Sequence, residues 1–374
     1  MIRQIDYFNA RIWGMRDSLL PEALHEELLA IRTRDAWIAI LRDTPYSKFL
    51  GPSVDPRDSR ILYRAVDAYI ASRTHFLTQI TPGNPSRALK VCLAEQDLQN
   101  LIAVTSGIYS IADPTDILSG TLAGGLLGAD QLEALSQCRT LVEAADTLTT
   151  WGYVYHFVYR KSLWNLPDEK RPPLKRHLRP EGKAKSLESS VGIPPDRPLT
   201  DLRLDLNRNF IQILLDDARR CGYPVILRFM REKVDRINLM TTLMWRALPS
   251  DRDPGEFYLP GGSSVSEGTF RKMLEAQDLW QVVARLEPGP FKKSAEKATQ
   301  NLGGLENVSF FETSLERKII HRYSRPLDLD PLGAELLLSY LLRLRLEGIR
   351  LKQSLTRLLL DIPLEVFLER YAHV

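Results

Sequence analysis

Arg231-Glu232-Lys233-Val234-Asp235-Arg236-Ile237-Asn238-Leu239 lies inside an amphipathic run. Ile226, Phe229, Met230, Val234, Ile237 and Met240 recur there three or four residues apart, the stripe of one helical face. Asp235 and Asn238 are three apart, so they share a face as well. Short polar side chains are poor in helix interiors because they compete for nearby backbone groups. A helix with both at its middle implies partners for them.

The pattern occurs three times. Upstream, Glu95-Gln96-Asp97-Leu98-Gln99-Asn100 places Asp97 and Asn100 at the same spacing. Downstream, Glu347-Gly348-Ile349-Arg350 pairs Glu347 with Arg350. Each follows an apolar helical stretch. The carboxylates are 138 and 112 residues apart, and the difference of 26 is close to the length of one basic insertion described below. This spacing predicts an all-α protein of three similar helical units with pseudo-threefold symmetry. The expected units are residues 1–115, 116–250 with an insertion at 165–198, and 251–374.

Along the chain, helices are expected over Tyr7–Leu29 with a break at Pro21, from Thr33, over Arg60–Leu77, and through Asp97. A second set starts with Asp130 as N-cap, continues at Leu141, and ends in two long helices on either side of Gly222-Tyr223-Pro224. Trp151-Gly152-Tyr153 occupies the place of Thr44-Pro45-Tyr46. The third set has helices from Ser266, Leu279, Ser309 and Pro331, then a break at Asp361–Pro363 before a last helix ending near Tyr371. Pro288-Gly-Pro-Phe291 marks the end of the Leu279 helix. Gly348 inside its helix costs about 1 kcal/mol relative to Ala. The junction loops Gly120–Gly128 and Gly261–Ser264 are expected to face partners. No stretch alternates as a strand would. Residues 165–198 are rich in Pro, Lys, Arg and Ser, a composition that resists a packed core and reads as an exposed basic loop.

Composition narrows function by exclusion. In 374 residues, 50 Lys and Arg face 47 Asp and Glu, a net charge of +3. That balance is no nucleic-acid footprint. Cys92, Cys138 and Cys221 are far apart and suit neither a disulfide framework nor a metal cluster. No apolar run reaches the length of a membrane span. The histidines, at 25, 75, 156, 177, 321 and 373, are scattered, and no phosphate-binding loop or Gly-x-Ser-x-Gly elbow is present. No catalytic cluster and no cofactor are expected. Asp97, Asn100, Asp235, Asn238, Glu347 and Arg350 are instead read as hydrogen-bonding groups at helix junctions, or as the lining of a shared cavity.

A set of short motifs in fixed order resembles a known family. They are Tyr7-x-Asn9-Ala10-Arg11 with Met15 and Leu19-Leu20, Leu41-x-Asp43-Thr44-x-Tyr46, Glu95-x-Asp97-x-x-Asn100-Leu101, and Asp235-x-x-Asn238. Asp330-Pro331-Leu332-Gly333-x-Glu335, Tyr340-Leu341-Leu342 and Pro363-x-Glu365-Val366-x-x-Glu369-Arg370 follow. Together they resemble the C subunits of the V/A-type ATPases, whose counterpart in eukaryotic vacuolar ATPases is the d subunit. The resemblance implies a funnel-shaped, non-catalytic component of the central rotor stalk, peripheral on the cytoplasmic face of the membrane. Its implied partners are the D and F subunits of the stalk, which would enter its cavity, and the proteolipid ring of the membrane sector. Two features depart from the family: Arg350 stands where an Asn is usual, and the 165–198 insertion is longer. A helical-repeat scaffold for an unrelated complex is the alternative.

Overall fold

The computed structural model describes residues 4–51, 55–81, 83–164, 198–247, 253–299, 308–324 and 334–368. The basic insertion (165–197), the Asp330–Gly333 motif with the Pro331 helix start, and the end near Tyr371 lie outside the described residues. Among the described residues there are seventeen α-helices and no strand.

The chain opens with α1 (Gln4–Arg16), α2 (Glu22–Ala30) and α3 (Arg34–Arg42), a 3-10 turn at Pro45–Lys48, and the longer α4 (Ser59–Ile80) and α5 (Gly83–Tyr109). Pro21 flanks α2 in extended conformation, so the expected break is present. Thr33 caps α3 by accepting from the Ala36 N–H at 3.3 Å, with Asp35 in the first turn and Arg42 in the last, both favourable to the helix dipole. Trp37, Ile38 and Leu41 are its buried face.

Next come α6 (Pro114–Ser119), α7 (Ala129–Ser136), α8 (Leu141–Thr150), α9 (His156–Trp164), α10 (Leu199–Cys221) and α11 (Pro224–Ala247). Gly222 ends α10 in the left-handed conformation (φ 77°), and Pro224 starts α11 where its missing N–H costs nothing. A 3-10 turn (Pro254–Phe257) precedes α12 (Glu267–Leu274), α13 (Leu279–Ala284), α14 (Pro290–Thr299), α15 (Val308–Ser324), α16 (Ala334–Leu359) and α17 (Leu364–Phe367). Ser266 caps α12 and Asp278 caps α13.

Three short helices, α6, α9 and α14, were not expected: α14 starts at Pro290, inside the stretch read only as a helix end, and α6 starts at Pro114, the first-turn proline after the Asp113 cap. Asp130 is not an N-cap. Gly128 holds that position, its N–H bonded to the Gln131 side chain at 2.9 Å, and Asp130 lies in the first turn, paired with Arg64 at 2.7 Å.

Three helices carry the interior. α5 is buried on every side, from Pro85 to Ile108, as expected of a helix without a polar face. It packs against α10, α11 and α16. α16 also touches α11, α15 and the N-terminal helices α1 to α4, although more than 250 residues separate it from them. Trp37 Nε1 donates to Ser354 Oγ at 2.9 Å, and Tyr63 Oη meets Thr356 Oγ1 at 2.7 Å. The end of the chain therefore closes onto its beginning, and one apolar cluster runs from Phe8 to Leu358.

Glycines set the closest approaches. A Cβ at Gly348 would sit 2.6 Å from Leu122 Cδ1, so the helix cost of this glycine secures contact between α16 and the loop after α6. A Cβ at Gly125 would overlap the Asp97 carboxylate. Gly14, in α1, faces open space. Gly125→Ala is expected to destabilise the protein by about 1–3 kcal/mol or more, and Gly14→Ala to stabilise it by about 0.5–1 kcal/mol. Urea unfolding of both variants checks this; equal effects of the same sign would contradict the packing described.

Candidate functional site

The acidic residues picked from the sequence are buried, and each holds a loop of a later or earlier part of the chain. Asp97 accepts from the backbone N–H of Leu126 and Leu127 at 3.0 and 3.1 Å and from the Tyr153 hydroxyl at 3.0 Å. Asn100 forms a two-way pair with the backbone of Leu122, donating to its carbonyl and accepting from its N–H, both at 2.9 Å. Asp235 accepts from the N–H groups of Ser263, Ser264 and Val265 at 2.9–3.0 Å and from the Ser263 hydroxyl at 2.8 Å. Asn238 pairs with the backbone of Leu259 in both directions at 2.8 Å.

The two clamps match in detail. Each carboxylate reaches residues 29 and 30 positions on, and each Asn reaches back-to-back carbonyl and N–H groups 22 or 21 positions on. Each needs a glycine, Gly125 or Gly262, where a Cβ would overlap the carboxylate. Such loops have no sheet or helix to satisfy their backbone, and the side chains do so instead. The Gly120–Gly128 loop, expected to face partners, is therefore turned inward over most of its length, with Thr121 to Gly125 buried; in Gly261–Ser264 the burial reaches Ser264, while Ser263 stays exposed.

The third copy differs. Glu347 accepts from the Leu20 N–H at 2.6 Å and from the Tyr46 hydroxyl at 2.7 Å, across 327 and 301 residues. Tyr46 and Tyr153, aligned from their turns, thus serve equivalent carboxylates. Arg350 turns outward and pairs with Glu22 at 2.5 Å. The three carboxylates do not share partners, and no acid–base pair forms among them.

A second set was missed in the sequence. Two residues before each carboxylate stand Glu95, Lys233 and Arg345, and these three meet. Lys233 Nζ lies 2.9 Å from Glu95 Oε1, and Arg345 Nη1 lies 2.7 Å from Glu95 Oε2, with all three side chains at most 4% exposed. The network extends through Lys233–Glu316, Arg236–Glu316 at 2.8 Å and Arg236–Glu312 at 2.9 Å. Lys352 Nζ finds three acceptors nearby: Asp67 at 2.7 Å and the carbonyls of Leu118 and Thr121 at 3.0 and 2.6 Å. The sequence signal was available: charged residues on the buried stripes of three long helices, at one register relative to the acid.

Beside this network is a cavity of about 450 Å³ between α5, α11, α15 and α16. Lys233, Arg236, Glu316 and Arg345 form its charged wall; Ile320 and Ile349 are part of its apolar wall. Of the six residues singled out from the sequence, Arg350 alone lines it. No group of three or more His, Cys, Asp or Glu among the described residues is placed to hold a metal ion.

Burial and pairing pull these acids in opposite directions. Burial raises Asp97 and Glu347 to about 7, against the hydrogen bonds they accept. Burial also opposes ionisation of Glu95, but Lys233 and Arg345 outweigh it and hold this carboxyl at about 2. The arrangement is that of an ionised interlock where the helices meet and buried, hydrogen-bonded carboxyls away from the cavity. Its chemistry is cohesive: it satisfies loops and joins helices.

Residues 8–351 match the family described as ATP synthase (C/AC39) subunit. The chain belongs to that family. Among its relatives, the C subunit of the A-type ATP synthase of Pyrococcus abyssi is 24% identical over 353 residues, covering 92% of this chain and 84% of the relative. The C subunit of the V-type ATP synthase of Thermus thermophilus is 22% identical over 357 residues, covering 96% and 95%. At this identity most positions have changed, so the site is read from this chain's own residues.

Glu95→Gln is expected to cost about 3–5 kcal/mol, because it leaves buried cations without their counter-charge; denaturant unfolding measures it, and a loss below about 1 kcal/mol would contradict the interlock. The pH dependence has a definite sign. With Glu347 near 7 in the folded chain and near 4.5 when unfolded, the folded state holds the extra proton, so stability falls as pH rises from about 4.5 to 7. Melting temperatures of Glu347→Gln and the unaltered chain should therefore shift in favour of the variant between pH 5 and pH 8. A constant difference would show that the carboxyl does not titrate there.

Proposed function

We propose that this chain is a non-catalytic rotor component of a V/A-type ATP synthase, joining the stalk formed by the D and F subunits to the proteolipid ring and carrying torque between ATP turnover and ion translocation. It works peripherally, on the cytoplasmic face of the membrane. The observation that carries this reading is the closure of the chain by α16. Glu347 ties Leu20 and Tyr46, while Asp97 and Asp235 tie the loops at 122–127 and 259–265. A body that transmits twist needs its segments locked to one another, and packed interiors transmit strain with little compliance.

Each clamp links one expected unit to the next: 1–115 to 116–250, 116–250 to 251–374, and 251–374 back to 1–115. This cyclic order, with Glu95, Lys233 and Arg345 meeting at the middle, supports three units about a pseudo-threefold axis. The cavity beside that meeting point is the proposed socket for the stalk tip. No described helix is long and apolar enough to cross a membrane, which agrees with contact at the ring's surface. Membership in the family and the names of its members support assembly into such a complex.

Affinity capture of the tagged chain from gently solubilised native membranes tests the proposal. The D and F stalk subunits and a small apolar proteolipid are expected together in the eluate, identified by mass spectrometry. Recovery of the chain with none of these proteins would sink the rotor reading.

A further inference from the structure

The cavity wall carries one cation more than its neighbourhood neutralises. Lys233, Arg236 and Arg345 are set against Glu95, Glu312 and Glu316; Lys352 is set against Asp67, and Arg350 against Glu22. Arg317, on α15, lines the same cavity and has no hydrogen-bond or ion-pair partner among the described residues. It is half-buried, and burial together with the nearby Arg350 guanidinium pulls its pKa down to about 10, against the weaker opposing pull of Glu22. A guanidinium that loses water and gains a like charge weakens the fold unless something else compensates. Proteins retain such a cost where function needs it.

We infer that Arg317, with Arg350 beside it, is a seat for a carboxylate borne by the polypeptide that enters the cavity. The inference rests on the stalk reading above. A guanidinium fork matches a carboxylate with two parallel hydrogen bonds. Gln353, one turn after Arg350 and also on the cavity wall, adds an amide donor. Ile320, Leu346 and Ile349 line the cavity alongside. Their presence selects an amphipathic segment with an acidic side chain over a free small anion, since an ion alone would leave these apolar groups wet. They also strengthen the ion pair by lowering the local dielectric.

The test is binding of the purified D–F pair to the full-length chain, measured by calorimetry from low to high salt, for the unaltered protein and for Arg317→Gln, Arg317→Lys and Arg317→Glu. The expected result is a Kd raised about tenfold or more by Arg317→Gln, further by Arg317→Glu and less by Arg317→Lys, with a shallower salt dependence in Arg317→Gln. The melting temperature of Arg317→Gln should equal or exceed that of the unaltered chain, because a repulsion is removed. D–F binding that Arg317→Gln leaves unchanged overturns the seat while leaving the stalk reading intact. A lowered melting temperature shows that Arg317 supports the fold and also overturns it. No binding of D–F by the unaltered chain overturns the stalk reading and this inference with it.

Discussion

A buried carboxylate that accepts backbone N–H groups from a distant loop is the contact on which this structure depends. Asp97, Asp235 and Glu347 each do this, and each bond crosses from one part of the chain to another. Desolvating a carboxylate is costly, and several aligned donors are needed to offset it. The donors come from loops that otherwise have nowhere to place their N–H groups. Two unfavourable burials thus satisfy each other, and the geometry they require admits little slippage.

The same logic governs the centre. Glu95, Lys233 and Arg345 are taken out of water by three long helices, and their mutual attraction keeps each helix in register with the others. Hydrophobic attraction is non-directional, and a charged triad with distances of 2.7–2.9 Å adds fixed partners to the close packing. Contacts that resist relative motion are what the proposed torque-carrying role would require. The cohesive network and the cavity lie side by side, with Glu95, Lys233 and Arg345 belonging to both.

Much of the helical fold was legible in the sequence. Apolar stripes located the long helices because 3.6-residue periodicity survives over four or more turns. The polar pairs stood out for the opposite reason, as residues that break a stripe. α6 and α14 were hidden because each begins at a proline, a residue that ends one helix as readily as it starts another. The loops at 120–128 and 261–264 looked like partner-facing junctions because Gly-rich segments usually lie at surfaces. Their glycines serve close approach to Asp97 and Asp235, which spacing within the loop does not reveal.

The amino-acid sequence by itself determined the all-helical class, the helix ends marked by Thr33, Ser266 and Gly222, and the three registers at which an acid sits in an apolar face. These are local properties, set by propensity, capping and periodicity within a few turns. Tertiary structure decided what each polar group meets: that Glu95, Lys233 and Arg345 converge, that Glu347 returns to Leu20, and that Arg350 turns outward to the cavity rim. Those outcomes depend on how helices separated by more than 100 residues are placed in space. Charges that look alike along a helix become an interlock, a clamp or an unpaired cation only when burial and neighbours differ.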